Sequence, residues 1–141
     1  MKQPGANPTA LAIAPYAHMG KALQQCKRDI FYMVCQYGCN EVWKWGRSIG
    51  AHSWRTTTDI QDNWWSMSNI VGFSQAGLEQ YAGYNGWNDI DHLRFGYSQP
   101  GHYKQQTQLT PDEQYTQMSL WALLNTPLIL SMHMEIGRAH V

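Results

Sequence analysis

Apolar positions recur at helical spacing from residue 15 onward: Tyr16, Met19, Leu23 and Cys26 share one face behind Pro15, which suits a first helical turn. Lys27 and Arg28 are favourable at the C-terminal end of that helix. Residues 2–9, rich in Pro, Gly, Asn and Gln, read as loop. Ile30 to Cys35 is a short continuous apolar run, which predicts a strand covered on both faces. Ser53 to Thr57 predicts a second strand. Asp62 or Asn63 can then cap a helix carrying Trp64, Met67, Ile70 and Val71 on one stripe. Trp87 to Leu93 is a third strand with a weaker pattern, because it contains two aspartates. Thr110-Pro-Asp-Glu113 is a capping box with proline at the first helical position; Met118, Trp121 and Ala122 supply the buried stripe and Pro127 ends it. Leu128 to Met132 is the fourth strand.

Strands alternating with helices predict parallel β/α units, an α/β fold with helices packed outside a buried sheet. Gln36, Asp59, Asp89 and Asp91 then fall at the C-terminal ends of the strands. In β/α barrels that end carries the catalytic groups. Residues 135–141 continue neither a strand nor a helix pattern and read as a non-native tail, like a translated sequencing adapter, which leaves 1–134 as part of one domain.

Composition narrows the function classes. Of 141 residues, 43% are hydrophobic and 14% charged, with Lys plus Arg equal to Asp plus Glu at 10 each, so no global field recommends nucleic acid or an anionic membrane surface. No apolar run reaches the roughly 20 residues of a membrane span, and the first residues lack a secretory apolar stretch. Three cysteines do not make a disulfide framework. Cys35, Cys39 and His52 form only a weak metal pattern, and nothing in the sequence calls for a metal or a cofactor. Seven Trp and eight Tyr suit either carbohydrate binding or an aromatic core.

CQYG at 35–38, SWRTTTDI at 53–60, GWNDIDHL at 86–93 and LTPDEQYTQMSLWALLNTPLILS at 109–131, in that order and spacing, resemble glycoside hydrolase family 27, the α-galactosidase family, from about Pro15 to Met134. The resemblance implies a (β/α)8 barrel in which the four strands are the fifth to eighth, so that this chain is the C-terminal half. It also implies a nucleophilic aspartate in a Lys-Tyr-Asp-like motif on the fourth strand. No such motif precedes Pro15, so the expectation is a nucleophile upstream of Met1 and a chain inactive as given. An extracellular or periplasmic setting is what the resemblance favours.

By the same resemblance, Asp59 is the acid/base of a retaining mechanism, which must carry a proton when substrate binds. Read without it, Asp59 is a helix N-terminal residue. Arg55 matches a site arginine that can hold a carboxylate or sugar hydroxyls, with a structural salt bridge as the alternative. Gln36 stands near the expected sugar 2-hydroxyl, where relatives often have glutamate. Asp91 matches a sugar-contacting aspartate, Asp89 a structural one, and Trp87 is either a stacking platform or a core residue. Ile90, His92, His133 and Tyr84-Asn85 depart from the family pattern. Three other readings stay open: a non-catalytic carbohydrate-binding or interaction module, an α-N-acetylgalactosaminidase and a β-L-arabinopyranosidase. The pocket at Gln36 and Tyr37 should separate the two enzymes from an α-galactosidase.

Overall fold

The computed structural model of the chain describes residues 8–98 and 105–131; His133 and the 135–141 tail lie outside them. Helix α1 spans Pro8–Gln24 and carries Pro15 in its interior rather than in its first turn, so the chain is helical two residues before the expected loop ends. Ala10, Leu11, Ala12 and Ala14 favour helix strongly, and Ile13 and Tyr16 pack against the core; together these offset the one hydrogen bond that Pro15 removes.

Strand β1 (Met33–Val34) pairs in parallel with β2 (Ser53–Arg55), which pairs in parallel with β3 (Trp87–Asp89). The expectation that 30–35 is covered on both faces is corrected: Phe31, Met33 and Cys35 are exposed while Val34 is buried. β1 is the edge of this sheet, and packing reaches it from one side only, through Ile13 and Tyr16 of α1 and through Val42 and Trp45 of α2 (Val42–Trp45).

Trp54 shows how closely that layer packs. Cβ atoms added at Gly46 and Gly86 would lie 2.5 Å from its ring, so two glycines let the indole lie between backbone segments, fully buried. Its Nε1 donates to Asn88 Oδ1 at 2.9 Å.

The third predicted strand divides. β3 stops at Asp89, Asp91 takes φ 81°, and Leu93 then pairs in parallel with Leu130, through Leu93 N to Ile129 O at 2.8 Å and Ser131 N to Leu93 O at 2.9 Å. Of the fourth predicted strand, the described part holds this single bridge. Strand neighbours thus follow chain order with no reversal, unlike a doubly wound sheet.

After β2, Asn63 is the cap: its Oδ1 accepts from Ser66 N at 2.9 Å, while Asp62 accepts from Thr107 Oγ1 and Gln108 N. The helix widens to a π-helix over Ser66–Gly72. Met67 and Val71 are buried, but the altered turn leaves Trp64 at 40% exposure, off the expected stripe.

Strands β4 (Tyr97–Ser98) and β5 (Gln105–Gln106) form an antiparallel pair that the pattern did not predict. Helix α3 (Pro111–Leu123) has the full capping box, with Thr110 Oγ1 accepting from Glu113 N and Glu113 Oε2 from Thr110 N. Its buried stripe is Gln117 and Trp121, not Met118 and Ala122, which are exposed. The difference is one residue of helical rotation. It is fixed by Trp121 Nε1 donating to Asp91 O at 2.8 Å and Gln117 Oε1 accepting from Arg94 N at 3.3 Å. Trp121 closes a second core with Ile60, Met67, Val71, Ile90, Leu93 and Leu109.

Candidate active site

Because side chains alternate along β2, the burial of Trp54 under the helices sends Arg55 to the opposite face. There its Nη2 lies 3.0 Å from Asp59 Oδ1 and 3.0 Å from Asp91 Oδ2. The three side chains differ in setting: Arg55 and Asp91 are each 9% exposed and Asp59 is 64% exposed. A carboxylate reachable from solvent is therefore held at its root by a buried cation.

The turn after β1 closes over this group. Gly38 N donates to Arg55 O at 3.0 Å, and Gly38 has φ 74°; an added Cβ would stand 2.2 Å from Thr56 O, so no larger residue fits. Beside it Tyr37, also left-handed at φ 53°, sets its half-exposed ring 5.8 Å from the Arg55 guanidinium carbon. The Tyr37 phenol is pushed above its ordinary value, first by negative charge at Cys35, then by Asp59 and by hydrogen bonding to Cys35, with Arg55 opposing. Gln36, partly buried, begins this turn, its carbonyl accepting from Cys39 N at 2.8 Å.

Asp89 is 3% exposed, and burial pushes its carboxyl above the ordinary range, against the opposing effects of the Asp91 N–H and Arg55. Its Oδ1 accepts from Asp91 N at 2.8 Å.

The structure brings Asp59, Arg55, Asp91 and Asp89 together, with Tyr37 against Arg55. Trp87 opens β3 opposite Ser53, two residues before Asp89 and on the same face of the strand. Phe31 stacks on His52, whose Nδ1 accepts from Tyr32 N at 3.0 Å, and a groove of about 940 Å³ lined by Leu23, Lys27, Phe31 and His52 contains none of the candidate residues. Sequence reasoning placed Tyr37 in the pocket but missed its ring over Arg55, and it missed the Ile60 N–H on Asp91 Oδ2. The Tyr37-Gly38 pair, an aromatic before a glycine in a polar turn, was the available signal for the first.

What the fold and site define is a parallel α/β protein with a carboxylate-rich group at the carboxyl ends of its strands. The sequence model of the Melibiase_2 family, described as alpha galactosidase A, matches residues 5–139, and the chain belongs to that family. The alpha-galactosidase of Cyamopsis tetragonoloba is 41% identical over 115 residues, covering 82% of this chain and 25% of that protein. Alpha-galactosidase A of Cellvibrio japonicus is 35% identical over 124 residues, covering 81% and 28%. Among solved structures, the α-galactosidase of Saccharomyces cerevisiae superposes with TM-score 0.72 at 25% identity, over 92% of this chain and 31% of that one. A family 27 β-L-arabinopyranosidase of Geobacillus stearothermophilus shares the fold, with TM-score 0.77 at 22% identity, over 98% and 32%. The chain thus spans between a quarter and a third of the length of the relatives it matches.

Proposed function

We propose that this chain is the C-terminal half, strands five to eight, of the (β/α)8 barrel of a retaining α-galactosidase, with Asp59 as its acid/base. The observation that carries the reading is the exposed Asp59 carboxylate anchored to buried Arg55 beyond the C-terminal end of β2. In the mechanism a second carboxylate, supplied by a longer protein, attacks the anomeric carbon as the glycosidic C–O bond breaks. Asp59 gives its proton to the departing oxygen, then takes one from the water that cleaves the glycosyl ester. Arg55 and Gln36 line the sugar side, where a guanidinium and an amide can hold ring hydroxyls. The chain order of the strands supports the barrel reading, and the family relatives named alpha-galactosidase support the substrate. A related yeast α-galactosidase has been solved with raffinose.

The test is to express the longer protein that contains this segment and follow an α-galactoside by NMR. Release of galactose first appearing as the α-anomer is expected. Binding of galactose without cleavage would favour the carbohydrate-binding module, and preferential cleavage of a β-L-arabinopyranoside would favour that activity instead.

A further inference from the structure

The backbone and carboxylate groups of Asp91 all have partners within the chain. Its N–H donates to Asp89 Oδ1 at 2.8 Å, and its carbonyl accepts from Trp121 Nε1 at 2.8 Å. Its Oδ1 accepts from His92 N at 2.8 Å; its Oδ2 accepts from Ile60 N at 2.9 Å and faces Arg55 Nη2 at 3.0 Å. The residue is 7% exposed and has φ 81°, a conformation that costs a non-glycine residue energy and persists only where the surroundings enforce it. A group that existed only to meet a sugar would not need this many internal bonds.

Two of those bonds bear on Asp59. Ile60 is the next residue, so tethering its N–H fixes where the Asp59 side chain starts. The shared Nη2 means that Asp91 competes with Asp59 for one positive charge. Without Asp91, the guanidinium edge that holds Asp59 would lose its second anchor, and the direction of the Asp59 carboxyl would no longer be fixed.

We infer that Asp91 is a positioning residue that acts through Arg55 and Ile60 on the proton-donating carboxylate, its effect falling on proton transfer rather than on sugar affinity. This rests on the assignment of Asp59 as the acid/base.

The experiment uses the longer protein containing this segment, with kcat/KM, which reports the bond-breaking step, for methyl α-D-galactopyranoside (a poor leaving group) and for the 4-nitrophenyl α-galactoside (a good one), and D-galactose affinity by calorimetry. In Asp91→Asn, kcat/KM for the methyl glycoside should fall by about 100-fold, that for the nitrophenyl glycoside by about 3-fold at most, and the galactose Kd should stay within about 3-fold. Equal loss on both substrates, or a galactose Kd raised by about tenfold or more, would overturn the inference in favour of a structural or a sugar-binding role. Should Asp91→Asn not fold, Trp121→Phe, which removes only the indole donor to the Asp91 carbonyl, should show the same leaving-group dependence in weaker form; none there would also overturn it. Asp59→Ala serves as the reference. If it shows the leaving-group split and the Asp91 variants do not, the inference alone fails; if Asp59→Ala shows none, the acid/base assignment fails and takes the inference with it.

Discussion

Arg55 and Asp59, four residues apart, meet at 3.0 Å across a steep change of environment, the guanidinium 9% exposed and the carboxylate 64%. The partner that makes the guanidinium tolerable inside is Asp91, also 9% exposed. Removing Arg55 leaves the Asp91 charge buried, whereas removing Asp59 takes away a solvent-screened group. Arg55→Met should therefore destabilise the fold by about 3 kcal/mol, and Asp59→Ala by under about 1 kcal/mol. The double variant Arg55→Met with Asp91→Asn should recover part of the Arg55 loss. Denaturant unfolding of the four proteins measures this, and equal losses for Arg55→Met and Asp59→Ala would count against it.

Gly38→Ala should cost about 2 kcal/mol or more, since the added carbon meets the Thr56 carbonyl at 2.2 Å and φ is 74°. The turn holding Gln36 and Tyr37 would shift with it, so sugar affinity should drop as well. A variant as stable as the parent, with unchanged galactose affinity, would show that the turn is not pinned as described.

Asp89 gives a pH signature. Burial raises its folded-state value above the ordinary carboxylate value of about 3.9, so the folded state binds more protons than the unfolded chain once pH rises past that point. Its contribution to stability is fully present below the ordinary value and is lost as pH climbs through the raised one. Asp89→Asn, which keeps an oxygen for the Asp91 N–H, should melt higher than the parent at pH 7, with the gap closing as pH approaches the ordinary value from above. A gap that widens toward acid would reverse the sign assigned here.

Thr110→Ala should destabilise by about 1 kcal/mol, because the side-chain oxygen that accepts from Glu113 N is lost, while the Thr110 N–H keeps Glu113 Oε2 as its acceptor and no core atom moves. Unfolding of Thr110→Ser, which preserves the hydroxyl, should lie close to the parent, and a loss equal to that of alanine would point to the methyl group instead.

Local chemistry made several of these features legible in the sequence. The capping box at 110–113 and the cap at Asn63 use bonds between near neighbours, so residue type and spacing suffice to locate them. β2 and the start of β3 were also legible, from apolar and β-favouring residues between polar breaks. What escaped depends on distant partners. Pro15 inside α1 is tolerated through packing of Ile13 and Tyr16 against the core cluster, with the Tyr16 ring 5.9 Å from that of Trp45, and the rotation of α3 is set by a carbonyl thirty residues away. The π-helix after Asn63 also moved Trp64 off a stripe that ordinary helical spacing had assigned to it.

The candidate site divides in the same way. The resemblance picked out Asp59, Arg55 and Asp91 from their motifs, and the structure joins them at one nitrogen. Trp87, which the sequence left as either a stacking platform or a core residue, opens β3 opposite Ser53.

The most direct measurement is kcat/KM of Asp59→Ala in the longer protein that carries this segment, on an α-galactosyl disaccharide and on the nitrophenyl α-galactoside, with galactose affinity measured alongside. Disaccharide kcat/KM should fall by about 100-fold or more, nitrophenyl kcat/KM much less, and affinity little, as expected for loss of a general acid from the bond-breaking step. Disaccharide hydrolysis at the parent rate would contradict the role given to Asp59.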